Sequence, residues 1–182
     1  MSRPTSRDDA LEARLRASIR DVADYPKPGI VFKDITPLLG TARLFSEACD
    51  SMTSPFLNDG ITHVAAIESR GFLFGGPVAK TLGAGAVPVR KRGKLPYHAE
   101  REEYALEYGT DSLEMHIDAL PAGARVLVVD DVLATGGTAA ATCRLVQRLG
   151  GIVVGCSFLI RLGFLDGLKQ LGSTRVSSVI VY

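Results

Sequence analysis

Residues 126 to 138 read VLVVDDVLATGGT. Four apolar residues lead into two adjacent carboxylates, Asp130 and Asp131, and then into a turn of small and hydroxyl-bearing residues, Ala134, Thr135, Gly136, Gly137 and Thr138. Gly136 and Gly137 let backbone N–H groups come close to an anion, Thr135 and Thr138 can donate from their hydroxyls, and a helix starting there adds partial positive charge. Such a turn suits a terminal phosphate. Carboxylates repel phosphate but accept hydrogen bonds well, and a sugar diol presents two donors side by side. The combination fits a ribose 5-phosphate. A P-loop would need GxxxxGK[ST], and no lysine follows Gly137; a dinucleotide fold would need GxGxxG with an acid about 20 residues later, which is missing. Two other readings stay open: a capped strand-to-helix connection without a ligand, and an acidic pocket holding a metal directly, which leaves TGGT unexplained.

Other residues could complement this site. Arg90, Lys91, Arg92 and Lys94 form the one dense basic run, directly after the apolar AVPV. Taken bare, such a run equally suits a solvated face. Arg70, in ESRG, can offer a charge-assisted fork or a surface ion pair. In the apolar stretch Ile30 to Phe32, Phe32 can stack on a planar ring while backbone groups of Val31 and Lys33 read its polar edge; the alternative is that Val31 and Phe32 plug the core.

The elements that must position these residues follow from periodicity and breakers. Leu11, Leu15, Ile19 and Val22 recur at helical spacing after Ser6 and Asp8, which predicts an amphipathic helix over about 8–22. Pro26, Pro28, Gly29 and Pro37 then predict an ordered loop, and Leu44, Phe45, Ala48, Cys49 and Met52 a second helix. THVAAI, AVPVRK, RVLVVD and IVVGCSFLI read as buried strands. Between them lie FLFGGPVAKTLG, a helix interrupted by Pro77, and a helix from about Gly137 to Leu149, stopped by Gly150 and Gly151. A short helix at DGLKQLG and a last strand at VSSVIVY close the chain. Alternating strands and helices imply right-handed crossovers and a doubly wound α/β fold with a mainly parallel sheet flanked by helices. The polar, poorly periodic residues 92 to 123 suggest a lid or projecting hairpin.

Composition bounds the partners. The 182 residues, 46% hydrophobic and 23% charged, suit one globular domain, and a net charge of +1 gives no global case for nucleic acid or an anionic membrane. Cys49, Cys143 and Cys156 are odd in number and form no CxxC pair, so neither a disulfide framework nor a structural zinc site is expected. The first residues lack an apolar signal region and no run nears the ~18 residues of a membrane span, so a soluble, cytoplasmic protein is expected.

VLVVDDVLATGGT resembles the phosphoribosyl pyrophosphate signature of the type I phosphoribosyltransferases. Four more blocks, YPKPGIVFKDITPLL, AAIESRGFLFG, VPVRKRGKLPY and EEYALEYG, resemble one branch of that family, the adenine phosphoribosyltransferases. The resemblance covers residues 25 to about 163. It implies a type I phosphoribosyltransferase fold over 1–182, with a base-covering hood at about 1–40 and a flexible lid at about 92–110. It further implies that Ala134, Thr135, Gly136, Gly137 and Thr138 hold the 5-phosphate and that Asp130 and Asp131 face the ribose hydroxyls. Pyrophosphate falls to Glu68, Ser69 and Arg70, with a non-proline cis bond expected at Glu68–Ser69, and to Arg90, Lys91 and Lys94, with one basic residue able to come from the neighbouring subunit of a homodimer.

By the same resemblance Val31, Phe32 and Lys33 meet adenine, and Glu107 handles a proton on the base when the lid closes, supported by Tyr104 and Tyr108. The implied reaction joins adenine to phosphoribosyl pyrophosphate to give AMP and pyrophosphate. Mg²⁺ is expected on substrate and water oxygens, without a dedicated protein cage. One departure is Arg161-Leu162, where relatives frequently read Glu-Leu near the base pocket. A regulatory module of the same fold, and a xanthine, hypoxanthine-guanine or orotate enzyme, are the alternatives. Replacing Glu107 by Gln is expected to lower turnover by about 10² to 10⁴ in steady-state assays, and an unchanged rate removes its role as acid or base.

Overall fold

Apolar residues on both faces of a strand are stable only when both faces are covered, and Val126, Leu127, Val128 and Val129 are all fully buried. A computed structural model describes residues 7–105 and 110–182. These divide into two compact units, Met1–Ser51 and Met52–Tyr182.

In the first unit, helix α1 (Arg7–Ala17) is followed by strands β1 (Arg20–Ala23) and β2 (Val31–Asp34), the short helix α2 (Thr36–Leu39) and helix α3, which begins here and runs Ala42–Thr53. The expected helix over 8–22 therefore ends early. Ser18 and Ile19 donate back to the carbonyls of Leu15 and Arg16 at 3.1 and 3.2 Å, closing the last turn. Beyond it, Val22 pairs with Phe32 and Asp21 with Lys33 in an antiparallel ribbon. A distant ladder partner supplies hydrogen bonds that helical spacing alone could not anticipate, and β-branched residues suit the strand. The expected loop over 25–37 likewise contains β2 and the start of α2. Its reversal has a cis Tyr25–Pro26 bond, and Asp24 at φ 56° accepts from the Gly29 N–H at 2.8 Å.

The second unit is built on a seven-stranded sheet, ordered β5-β6-β4-β3-β7-β8-β9. The strands are β3 (His63–Ile67), β4 (Gly85–Lys91), β5 (Ala99–Ala105), β6 (Thr110–His116), β7 (Arg125–Leu133), β8 (Ile152–Arg161) and β9 (Val176–Val181). β4, β3, β7, β8 and β9 run parallel, whereas β5 and β6 form an antiparallel hairpin attached to the end of β4. Helices α4 (Gly71–Leu82), α5 (Gly137–Arg148) and α6 (Leu168–Leu171) complete the unit.

From β3 the chain passes to β4 on one side, and from β7 it passes to β8 and β9 on the other. The order reverses between β3 and β7, which is where doubly wound sheets hold ligands outside the carboxyl ends of their strands. Two local expectations change. Helix α4 runs through Pro77 without interruption, because Gly76 has no Cβ to clash with the proline ring. β7 extends through the acidic pair to Leu133, held by pairing of Asp130 with Phe158 and Leu133 with Arg161.

Close packing draws α4 onto the sheet. A Cβ on Gly75 would stand 2.3 Å from the Cβ of Ala66 in β3, so only glycine fits without a shift. Gly75→Ala is therefore expected to cost roughly 1–3 kcal/mol of stability by overpacking, read as a lower midpoint in chemical denaturation. An unchanged midpoint would show that the helix can move away freely.

Candidate active site

The carboxyl ends of β3 and β7 bring together most of the residues singled out by sequence. Ala134, Thr135 and Gly136 connect β7 to α5, and Gly137 opens the helix. Gly136 adopts φ 85°, ψ −8°, a left-handed turn that aims successive N–H groups outward before the helix begins. A Cβ on Gly136 would stand 2.3 Å from the Gly167 carbonyl oxygen, and one on Gly167 would stand 2.2 Å from that of Ala134. The loop is thus seated against the turn before α6. Asp130, Leu133, Ala134, Thr135, Gly136 and Thr138 line a cavity of about 70 Å³ there. This is the size of a small anion rather than a whole nucleotide.

Asp131 is 4% exposed, and its Oδ2 lies 2.7 Å from Arg70 Nε. The Asp131 N–H donates to Asp130 Oδ1 at 2.8 Å. That same oxygen would be 2.7 Å from a Cβ on Gly71, so glycine at the start of α4 lets the acidic edge approach β3. Burial, reinforced by the neighbouring Asp131 charge, pushes the Asp130 carboxyl well above the usual carboxylate range. Burial also raises Asp131, against the opposing pull of the Arg70 guanidinium. Two acids that resist ionisation are poised to gain from an incoming hydroxyl donor or cation.

Across the switch point, Glu68, Ser69 and Arg70 form the turn between β3 and α4. The Glu68–Ser69 peptide is cis, as the family resemblance implied. The Glu68 carboxylate, with 8% of its side chain exposed, accepts from Arg90 Nε at 3.3 Å, from the Lys91 N–H at 3.1 Å and from Lys94 Nζ. Burial would raise this carboxyl, but the donors from Lys94, Lys91 and Arg90 prevail and lower it. Lys91 Nζ itself reaches Asp111 Oδ2 at 3.0 Å on the hairpin. Each of Arg70, Arg90, Lys91 and Lys94 is therefore already compensated by an acid.

The hairpin leans on α5 through Arg144, which donates to Glu102 at 2.5 Å, and through Arg148, which bonds Glu100 at 2.7 Å and also Glu102. A second cavity of about 260 Å³ is bounded by Glu103, Tyr104, Thr135, Gly137, Arg144 and Gln170, among others. Glu107 and Tyr108 lie outside the described residues.

The base-reading candidates stand in the other unit. Val31, 51% exposed, is not a core plug; Phe32 packs edge-on against Tyr25 with ring centroids 5.2 Å apart. Lys33 Nζ donates to Asp21 at 2.6 Å. Arg161 ends β8 half-buried beside Leu133. Asp111 and Gly167 were missed by the sequence reading, as was the contact of Gly71 with Asp130. A glycine next to an acidic strand edge announces itself only when the two elements are seen to touch.

Among the described residues no helix is long and apolar enough to cross a membrane, and no group of three or more His, Cys, Asp or Glu is placed to hold a metal ion. Residues 38–178 match the family model of the phosphoribosyl transferase domain. An adenine phosphoribosyltransferase of Myxococcus xanthus (strain DK1622) is 56% identical over 179 residues, 98% of this chain and 97% of the relative. The crystal structure of adenine phosphoribosyltransferase from Rhodothermus marinus superposes with a TM-score of 0.91 at 55% identity, covering 95% of this chain and 99% of that one. A Saccharomyces cerevisiae adenine phosphoribosyltransferase, complexed with an imino-altritol bisphosphate and adenine, gives 0.88 at 37% identity, with 93% and 98% covered. The chain belongs to the phosphoribosyltransferase family. Within that family it stands with the adenine phosphoribosyltransferases, which are pentosyltransferases.

The raised carboxyls have a consequence for stability. Between the ordinary aspartate pKa and the raised folded value, the folded protein binds more protons than the unfolded chain, so stability falls as pH rises through that window. Asp130→Asn keeps an oxygen to accept from the Asp131 N–H and removes the charge. It is expected to raise the Tm at pH 7, with the gain shrinking as pH falls toward the ordinary aspartate range. A gain independent of pH, or a loss, would contradict this reading of the pair.

Proposed function

We propose that the switch-point site holds phosphoribosyl pyrophosphate and that β2 presents the purine. The reaction is transfer of the phosphoribosyl group to N9 of adenine, giving AMP and pyrophosphate. The observation that carries the assignment is the facing of two opposite sets across one reversal of strand order: the acids and phosphate loop of β7 and α5 against the Glu68–Arg70 turn of β3, joined at 2.7 Å by Arg70 and Asp131.

In this reading the N–H groups of Thr135 to Thr138 and the start of α5 take the 5-phosphate. Asp130 and Asp131 accept from the ribose hydroxyls. A diol that donates to them relieves their mutual repulsion, which orients C1 without adding charge to the site. Arg70, Arg90, Lys91 and Lys94 neutralise the pyrophosphate as it departs. Glu68 acts there through its backbone and as a counter-ion, because a carboxylate cannot bind an anion directly; it keeps Arg90 and Lys94 in place until the substrate arrives. Mg²⁺ would be carried on substrate and water oxygens beside Asp130 and Asp131 and would supply further neutralisation at the leaving group.

β2 has a ladder partner on only one edge, so part of its backbone points away from β1. Val31 and Lys33, two residues apart, share a side and can offer an N–H and a carbonyl to the polar edge of adenine, while Phe32 stacks on the ring. Recognition by backbone leaves Lys33 bound to Asp21. Glu107, from the β5–β6 connection, exchanges the proton on the base. We further assign the enzyme to the cytoplasm and to a homodimer, following the family resemblance.

Product chromatography after incubation with phosphoribosyl pyrophosphate, Mg²⁺ and, separately, adenine, hypoxanthine, guanine, xanthine or orotate tests the reading. AMP and pyrophosphate from adenine alone are expected, with no activity when Mg²⁺ is chelated. A different nucleotide would show that Arg161 has altered the base pocket. Tight substrate binding without any nucleotide would favour a regulatory module.

A further inference from the structure

One carboxylate in the described residues holds a cation of the proposed anion site and was singled out neither by motif nor by charge pattern. Asp111 stands in β6 directly opposite Tyr104 of β5 and diagonally across from Lys91 of β4, whose ladder partner is Leu113. Its Oδ2 accepts from Lys91 Nζ at 3.0 Å and from the Tyr104 hydroxyl at 3.2 Å, while its Oδ1 accepts from the Ser112 N–H at 2.8 Å. Both oxygens are thereby engaged. Tyr104 is 7% exposed, and its ring belongs to the core that contains Leu133, Ala139 and Ala140. Tyr104 also borders the second cavity together with Thr135 of the loop before α5 and Gly137 at the start of that helix.

We infer that Asp111 is a positioning residue for phosphoribosyl pyrophosphate, tying Lys91 of the basic run to Tyr104, whose side chain borders the phosphate loop at Thr135 and Gly137. The inference rests on the placement of pyrophosphate and 5-phosphate given above. An exposed lysine–carboxylate pair contributes little by itself. Here the acid is anchored to a tyrosine whose place is set by core packing, so the long Lys91 side chain is restrained before any ligand binds. Carboxylates only accept, so Tyr104 must donate to Asp111. Donors restrained in advance lose less freedom when the substrate docks.

Asp111→Asn still offers an oxygen to Tyr104 but no charge to Lys91. The expected result is a rise of about five- to twentyfold in KM for phosphoribosyl pyrophosphate. KM for adenine and kcat should change much less, and Asp111→Glu should recover part of the loss. Tyr104→Phe should raise the same KM, and the double variant should raise it by less than the two single effects combined, because both act through Asp111. A fall in Tm with KM for phosphoribosyl pyrophosphate unchanged in both single variants overturns the proposal. Thr138→Ala separates the two readings: if it too leaves that KM unchanged, the phosphate-loop assignment fails; if it alone raises KM, only the Asp111 link fails.

Discussion

Charge withdrawn from water has to be compensated where it stands, and the pair Asp130–Asp131 makes that demand at the centre of the larger unit. Asp131 meets it with Arg70 at 2.7 Å, which obliges the end of β3 to lie beside the end of β7. Gly71 makes the approach possible, since any side chain there would meet Asp130 Oδ1 or the Val129 carbonyl. Even so the compensation is partial: both carboxyls remain raised by burial. A site that is somewhat under-compensated when empty can gain from a hydroxyl-bearing, cation-associated substrate, and it sacrifices stability to do so.

The same principle runs outward from that pair. Glu68 gathers Arg90 and Lys94, and Asp111 gathers Lys91, so the cations that would face a pyrophosphate are held by acids from β3 and β6. Lysine and arginine side chains left free would repel one another and sample many rotamers. Pairing keeps them close without a bound anion. The hairpin takes part twice, through Asp111 toward β4 and through Glu100 and Glu102 toward Arg148 and Arg144 of α5. It is therefore fastened to both β4 and α5, not merely appended to the sheet edge.

Much of this was legible beforehand. RVLVVD, THVAAI and IVVGCSFLI form strands because their continuous apolar runs require two covered faces, and the glycine pair after Leu149 ends α5 as read. The turn from β7 into α5 was legible for a similar reason: the glycine pair of VLVVDDVLATGGT acts locally, a matter of residues adjacent in sequence. Where the reading went astray, a distant partner had intervened. Val22 fits a helical spacing, yet it lies in β1 because Phe32 stands opposite; the acids fall inside β7 because β8 continues the ladder to Leu133.

By itself, then, the sequence determined the alternation of buried strands and helices, the glycine-rich turn and its acidic neighbours, since hydrophobic period and backbone permissiveness depend on adjacent residues. Only the tertiary structure decided which acid compensates which cation, that Gly71 and Gly167 admit their neighbours, and that Asp111 meets Lys91 and Tyr104. Coulombic and steric contacts act over a few ångströms in space, whatever the separation along the chain, and it is the strand order of the sheet that sets those distances.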